Sequence, residues 1–254
     1  MAFPRTVWNK ARHATPDEVP TTLAEGVRER VEQVSRRIAD AASQARRDPG
    51  EVELVAVTKA VPVSRIREAL DAGIALLGEN RVQEAREKIA LLGSPAAKWH
   101  LIGHLQTNKS NLAVELFDLI HSLDSFKLAA SLDRHGAAVG KQVRVLVELN
   151  LGEEPAKFGI PESELLPLLK ACRALPYLCI EGLMTIPPFR QNPQEARPFF
   201  QRLRALRDLA SDTYPDSHLR HLSMGMSHDF EVAIEEGATL VRIGTAIFGE
   251  RPQG

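Results

Sequence analysis

The sequence predicts an α/β protein, a single (β/α)8 TIM-type barrel with an additional N-terminal helix. Short runs of aliphatic and β-branched residues alternate with stretches of helical period, with no run of consecutive strands and no long linker. Strands separated by helices pair in parallel through right-handed crossovers. Eight such alternations in a chain of 254 residues match the usual size of a closed barrel. An open doubly wound sheet is the competing arrangement, but the dinucleotide fingerprint GxGxxG is absent.

Each element has its own signal. Residues 1–20 carry Pro4, Pro16 and Pro20 without a clear period and read as a loosely ordered extension to a barrel domain over 21–254. From Thr21 to Arg47, Leu23, Val27, Val31, Val34, Ile38 and Ala41 recur at helical spacing until Asp48-Pro49-Gly50 stops them. Strands are expected at Leu54–Val57, Ala75–Leu77, Trp99–Ile102, Leu119–His121, Val143–Asn150, Cys179–Met184, His221–Ser223 and Leu240–Ile243. Helices are expected near Ser64–Ala72, Arg81–Leu92, Phe126–Val139, Glu162–Ala174 and Pro193–Ala210. No internal repeat or low-complexity segment interrupts the series.

Composition removes several classes of function. Lys and Arg number 32 against 33 Asp and Glu, a net charge of −1, so no electrostatic field favours nucleic acid or an anionic membrane. No apolar run approaches a membrane span, and the N-terminus lacks the apolar core of a secretory signal. A cytoplasmic protein is the expectation. Cys172 and Cys179 stand outside any CxxC or Cys/His cluster and read as buried small hydrophobes, so neither a disulfide framework nor a metal site is expected.

The chemistry gathers at the ends of strands. In Glu53-Leu-Val-Ala-Val-Thr-Lys59, Lys59 shares the inward face of the first strand with Val55 and Val57 and stands at its C-terminal end, where barrels keep reactive groups. An ordinary lysine, with a pKa near ~10.4, is almost wholly protonated at neutral pH. Apolar neighbours disfavour the ammonium, which is how a lysine becomes a nucleophile toward an aldehyde. A lysine there can also snorkel to the rim or pair with a carboxylate, and the segment alone leaves both open. After the seventh strand, Ser-Met-Gly-Met-Ser227 turns into a helix marked by Phe230, Ala233 and Ile234, with Ser227 at the N-cap. Such a helix start suits a phosphate, and Ser223 adds a hydroxyl; a plain capped loop explains the same residues.

In Leu240-Val-Arg-Ile-Gly-Thr245, Arg242 faces inward with Leu240 and Gly244, and a buried guanidinium needs a partner: a glutamate, a ring nitrogen or an anion. Gly244 and Thr245 close the last strand, where barrels often cradle phosphate. His100 and His104 are four apart, but the segment begins as a strand and breaks at Gly103, which argues against metal. His100 reads either as a stacking partner for a planar ligand or as a satisfied core histidine. Asn80 and Gln83 look like a capping box.

The segments VAVTK, GENRVQEA, WHLIGHLQTNK, HSLD, VELNLGEEPAKFGI, EGLMTI, LSMGMSHDFEVAIEEG and VRIGTAIFG, in this order from about Leu23 to Gly249, resemble those of the pyridoxal phosphate homeostasis proteins. That family is similar to the barrel domain of alanine racemases. The residues before Leu23 depart from the family pattern. The resemblance implies a barrel that binds pyridoxal 5′-phosphate (PLP) as a Schiff base on Lys59. It also implies a phosphate held by Ser223, Gly244 and Thr245, Arg242 at the pyridine nitrogen, and Asn80 and His100 around the ring.

A cation at the pyridine nitrogen opposes its protonation and weakens PLP as an electron sink. Racemases of this type work with two bases, the second a tyrosine from a further β-domain. Here the chain stops after the barrel, and its two tyrosines, Tyr177 and Tyr214, are expected at the wrong end. The expectation is therefore a PLP-binding protein of vitamin B6 homeostasis without strong catalytic activity. Its partners would be PLP and the PLP-dependent apoenzymes that receive it, not nucleic acid or membrane, and it would be a monomer or weak dimer. Two other readings stay open: a weak PLP-dependent racemase, and a barrel enzyme acting on a phosphorylated metabolite.

Overall fold

Strands form where β-branched and aliphatic residues can be buried on both faces, the environment of a parallel sheet covered by helices. In the computed structural model, which describes residues 26–92 and 97–250, eight such strands close in sequence order into a parallel barrel. They are β1 (Glu53–Val57), β2 (Leu76–Glu79), β3 (Lys98–Leu101), β4 (Leu119–Leu123), β5 (Val143–Leu149), β6 (Leu178–Thr185), β7 (His221–Met226) and β8 (Leu240–Ile243). Closure is made by β8 on β1, with Val55 opposite Arg242.

The helices are α1 (Val27–Gln44), α2 (Val63–Asp71), α3 (Val82–Leu92), α4 (Ser110–Leu116), α5 (Phe126–Val139), α6 (Leu165–Cys172), α7 (Arg197–Thr213), α8 (Phe230–Glu235) and α9 (Thr245–Phe248). The additional helix α1 buries Val27, Val31, Val34, Ile38 and Ala41 against the outer core. Its Arg37 reaches Glu231 of α8 at 2.7 Å, and Arg47 beyond its end donates to the carbonyls of Ile234 and Ala238.

Several boundaries move for local reasons. The proposed extension and the predicted start of the first helix at Thr21 lie outside the described residues. The helix ends at Gln44, and Arg46, predicted to be helical, instead has φ 58°. The segments predicted as helix from Glu162 and from Pro193 open with 3-10 turns, Glu162–Glu164 and Pro193–Ala196, before α6 and α7. Cys172 is buried as expected, whereas Cys179 is only half-buried. Helix α3 begins at Val82, which leaves Asn80 outside the cap position and the expected capping box unformed. No described helix is long and apolar enough to cross a membrane.

Two hydrophobic clusters lie on the two sides of the barrel wall. The inner one contains Val55, Val57, Leu76, Leu146, Met184 and Leu240; the larger outer one joins strands to helices. The inward face predicted for Val55, Val57 and Leu240 is thus observed, and strand alternation carries Lys59, Arg242 and Gly244 to the same side.

Candidate functional site at the C-terminal mouth of the barrel

Lys59 lies on a tight turn. The N–H of Val61 donates to the carbonyl of Thr58 at 2.9 Å, which makes Lys59 and Ala60 the two central residues. Ala60 has φ 57°, the left-handed region that this second central position adopts in a type II turn and that favours glycine. The turn directs Lys59 to a cavity of about 270 Å³ shared with Val57, Pro62, Arg65, Gly244 and Thr245. The strand end of β8 and the strand end of β1 therefore meet at one opening, as neighbours across the seam of the barrel.

At the Gly244 end, backbone donors converge. The amides of Gly244 and Ala246 both point at Oγ of Ser227, at 3.2 and 3.3 Å. Ser227 does not cap α8 as the sequence suggested. Asp229 precedes that helix and accepts the amide of Met226 at 2.7 Å, so the tight turn frees Ser227 to cross to the β8 loop. Gly225 permits this turn, with φ 89° and a position where a Cβ would lie 2.6 Å from Cβ of Ala233. Two amides converging on one oxygen, beside the Thr245 hydroxyl, form a donor set that fits a phosphate.

Deeper in the barrel the polar residues form a single chain. Nδ1 of His100 meets Nε2 of His121 at 3.1 Å, and Nδ1 of His121 meets Oγ of Ser223 at 2.9 Å. Arg242 donates to that same Oγ and, through its other Nη, to the carbonyl of Thr185 at 2.9 Å. A guanidinium only donates, so one consistent assignment runs outward from it: Ser223 donates to His121, and His121 donates to His100. Burial drives His100 down to about 3, with nearby Arg144 adding to it, and drives His121 well below the ordinary histidine range. Both rings are neutral at pH 7. Burial also lowers Arg242, to about 10, while Glu148 and Asp229 oppose that shift. It stays a cation.

Glu148 is the carboxyl nearest in kind to a partner for Arg242. It lies on β5 in alternation with inward Leu146, is buried, and its Oε2 has no hydrogen-bond partner among the described residues. Burial raises it to about 7 against the attraction of Arg242. Asn80 lies apart from Lys59, in a separate cavity with Gly103, His104 and Phe158. Gly103 is required there, because a Cβ would fall 2.5 Å from the carbonyl oxygen of Asn80. The ring of Phe158 stacks on His104 at 3.8 Å, and His104 lies 3.1 Å from Asp124. Tyr177 immediately precedes β6, and Tyr214 hydrogen-bonds the carbonyl of Leu166 in α6; both belong to the N-terminal end of the barrel.

The structure thus brings Lys59, Gly244 and Thr245 to one cavity, and His100, Ser223 and Arg242 to one buried chain. Sequence reasoning missed Ser227 as a partner of Gly244, and it missed His121 and Glu148. Strand period offered a signal for the last two, since each alternates with an inward leucine.

The model of the alanine racemase N-terminal domain matches residues 30–252. A pyridoxal phosphate homeostasis protein of Aquifex aeolicus is 45% identical over 223 residues, which cover 88% of this chain and 97% of that one. The chain belongs to the pyridoxal phosphate homeostasis protein family. PipY of Synechococcus elongatus has the same fold as this family member. Its structure without PLP superposes with a TM-score of 0.78 at 41% identity, over 85% of this chain and all of that one. Its structure with PLP bound gives 0.76 at 40% identity over the same share. Within the family fold, the mouth holding Lys59 is formed by the segments VAVTK and VRIGTAIFG, on which the resemblance rests.

Proposed function

We propose that the protein binds PLP at the C-terminal mouth of its barrel, with Lys59 as the covalent attachment point, and serves intracellular vitamin B6 homeostasis. The observation that carries this is the meeting of Lys59 with Gly244 and Thr245 in one cavity across the β1–β8 seam, at the loop where the amides of Gly244 and Ala246 converge. The family's name and the PLP-bound PipY support the choice of ligand. When bound, PLP offers an aldehyde carbon that condenses with a primary amine and loses one water.

The chain's own residues then divide the work. Lys59 supplies the amine. Gly244, Thr245, Ala246 and Ser227 would hold the phosphate. Ser223 acts one step removed, its hydroxyl aligning Arg242 from within the barrel. Arg242, a buried cation fixed by Ser223 and Thr185, would face the ring nitrogen and keep that nitrogen from protonating. His100 would stand beside the ring as a neutral group. We further propose a cytoplasmic location, delivery of the cofactor to PLP-dependent apoenzymes, and a monomer or weak dimer.

The test is visible absorption of the purified protein incubated with PLP, followed by borohydride reduction and peptide mapping. A new band and a pyridoxyl group on Lys59, absent in Lys59→Ala, are expected. A reduced group spread over surface lysines would overturn the assignment.

A further inference from the structure

Behind Lys59, on the outer side of the barrel wall, lies a second polar cluster that the site described above does not use. Glu79 follows inward Gly78 on β2 and is fully buried; Lys88 of α3 is buried against it. Nζ of Lys88 donates to Oε1 of Glu79 at 2.7 Å, to Oε1 of Glu84 at 2.7 Å and to the carbonyl of Thr58 at 2.6 Å. The hydroxyl of Thr58 donates to Oε1 of Glu79 at 2.6 Å. Glu84 in turn accepts the amide of Ala60 at 2.6 Å.

These contacts bracket Lys59. The ammonium of Lys88 holds the carbonyl before it, and the carboxylate of Glu84 holds the amide after it. Ala60 occupies the left-handed region with a side chain that disfavours it. Such a conformation persists where its surroundings over-determine it. Here the surroundings are three charged groups with a clear division of labour: Lys88 is shared between two carboxylates, and each carboxylate takes a second donor from the Thr58–Val61 turn.

We propose that Glu79, Glu84 and Lys88 are positioning residues that lock the turn carrying Lys59 and so set the reach of its amine to a bound aldehyde. The inference rests on the assignment of Lys59 as the attachment point. The Lys59 amine reacts fastest when its approach is already fixed, so loosening the turn slows condensation without removing the ring and phosphate contacts. Glu84 holds a conformation that glycine adopts without help, so replacing Ala60 by glycine relieves the need for Glu84.

The experiment compares wild type, Glu84→Ala, Lys88→Met and the pair Glu84→Ala with Ala60→Gly. Three quantities are measured: the rate of appearance of the PLP band, the affinity for pyridoxine 5′-phosphate, which carries an alcohol in place of the aldehyde, and exchange of the Ala60 amide in ligand-free protein. Glu84→Ala is expected to slow the band at least about tenfold and to speed Ala60 exchange by a similar factor. Affinity for pyridoxine 5′-phosphate stays within about twofold, and the added Ala60→Gly recovers most of the rate. Glu84 is partly exposed, with 28% of its side-chain surface accessible, so this variant carries the test if Lys88→Met does not fold. Equal loss of PLP rate and pyridoxine 5′-phosphate affinity, or no recovery with glycine, would overturn the proposal. A wild type with no pyridoxyl group on Lys59 would sink the PLP assignment instead, while Ala60 exchange would still decide whether the cluster locks the turn.

Discussion

Two buried polar clusters stand on opposite sides of the barrel wall at the same end of the molecule. Outside the wall, Lys88 is met by Glu79, Glu84 and the Thr58 carbonyl, and no charge there lacks a partner of opposite sign. Inside the wall, Arg242 is met by a hydroxyl and a carbonyl, two histidines are held neutral, and Oε2 of Glu148 has no hydrogen-bond partner among the described residues. A closed cluster fixes geometry, because each group satisfies another. An open cluster keeps charge and donors available to a ligand, and it carries a cost in stability that the closed one does not. The difference separates the scaffold from the binding surface more clearly than residue type does, since both clusters contain one cation and at least one glutamate.

The sharpest way to break this comparison is to open the closed side. Lys88→Met removes the cation shared by buried Glu79 and partly exposed Glu84 and should cost about 3–5 kcal/mol, seen as a fall of roughly 10 °C in Tm. Adding Glu79→Gln should recover part of that loss, because the two substitutions share one interaction. Additive losses would show that the cluster is not a unit.

Next comes Glu148. Its folded pKa is raised to about 7 from an ordinary value of 4.5, so the folded state holds the proton more tightly. That contribution is fully present below the unfolded value and is lost as the pH rises from about 4.5 to about 7, up to ~3 kcal/mol. Glu148→Gln should flatten this limb in urea unfolding measured across that range. An unchanged slope would mean that Glu148 ionises over the same pH range in the folded and the unfolded protein.

His100 gives the opposite sign. Burial lowers its folded pKa from 6.5 to about 3, so its contribution is present above the unfolded value and is lost as the pH falls through that window. His100→Phe should weaken this acid limb and cost about 1–3 kcal/mol at pH 7, because His121 loses its partner at Nε2. Smallest of all is Ser227→Ala, at about 0.5–1 kcal/mol, since the amides of Gly244 and Ala246 at the open mouth can turn to water. Its larger signature should be weaker binding of inorganic phosphate or PLP, read by calorimetry.

Much of the site was legible before any coordinates. Period-two alternation put Lys59 with Val55 and Val57, and Arg242 with Leu240 and Gly244, on the inward face, because a strand leaves only two directions for a side chain. The same rule covers His121 and Glu148, although their segments HSLD and VELNLGEEPAKFGI give neither residue a chemical signature of its own. Ser227 was misplaced for a different reason. A serine shortly before a helical pattern satisfies the capping rule as well as Asp229 does, and only the turn at Gly225 decides between them.

The sequence by itself determined the number and order of the strands, the closure they imply and the face on which each motif stands. These follow from local period, chain length and the one-handed crossover, all of which act between near neighbours. Only the tertiary structure decided which of those residues meet. Lys59 and Gly244 are far apart in the chain and become neighbours because β8 closes on β1, and Lys88 reaches the back of the Lys59 turn because α3 folds over β2. Partnerships of this kind depend on closure and packing across the whole barrel, and a buried charge takes its partner from whatever that packing brings within reach.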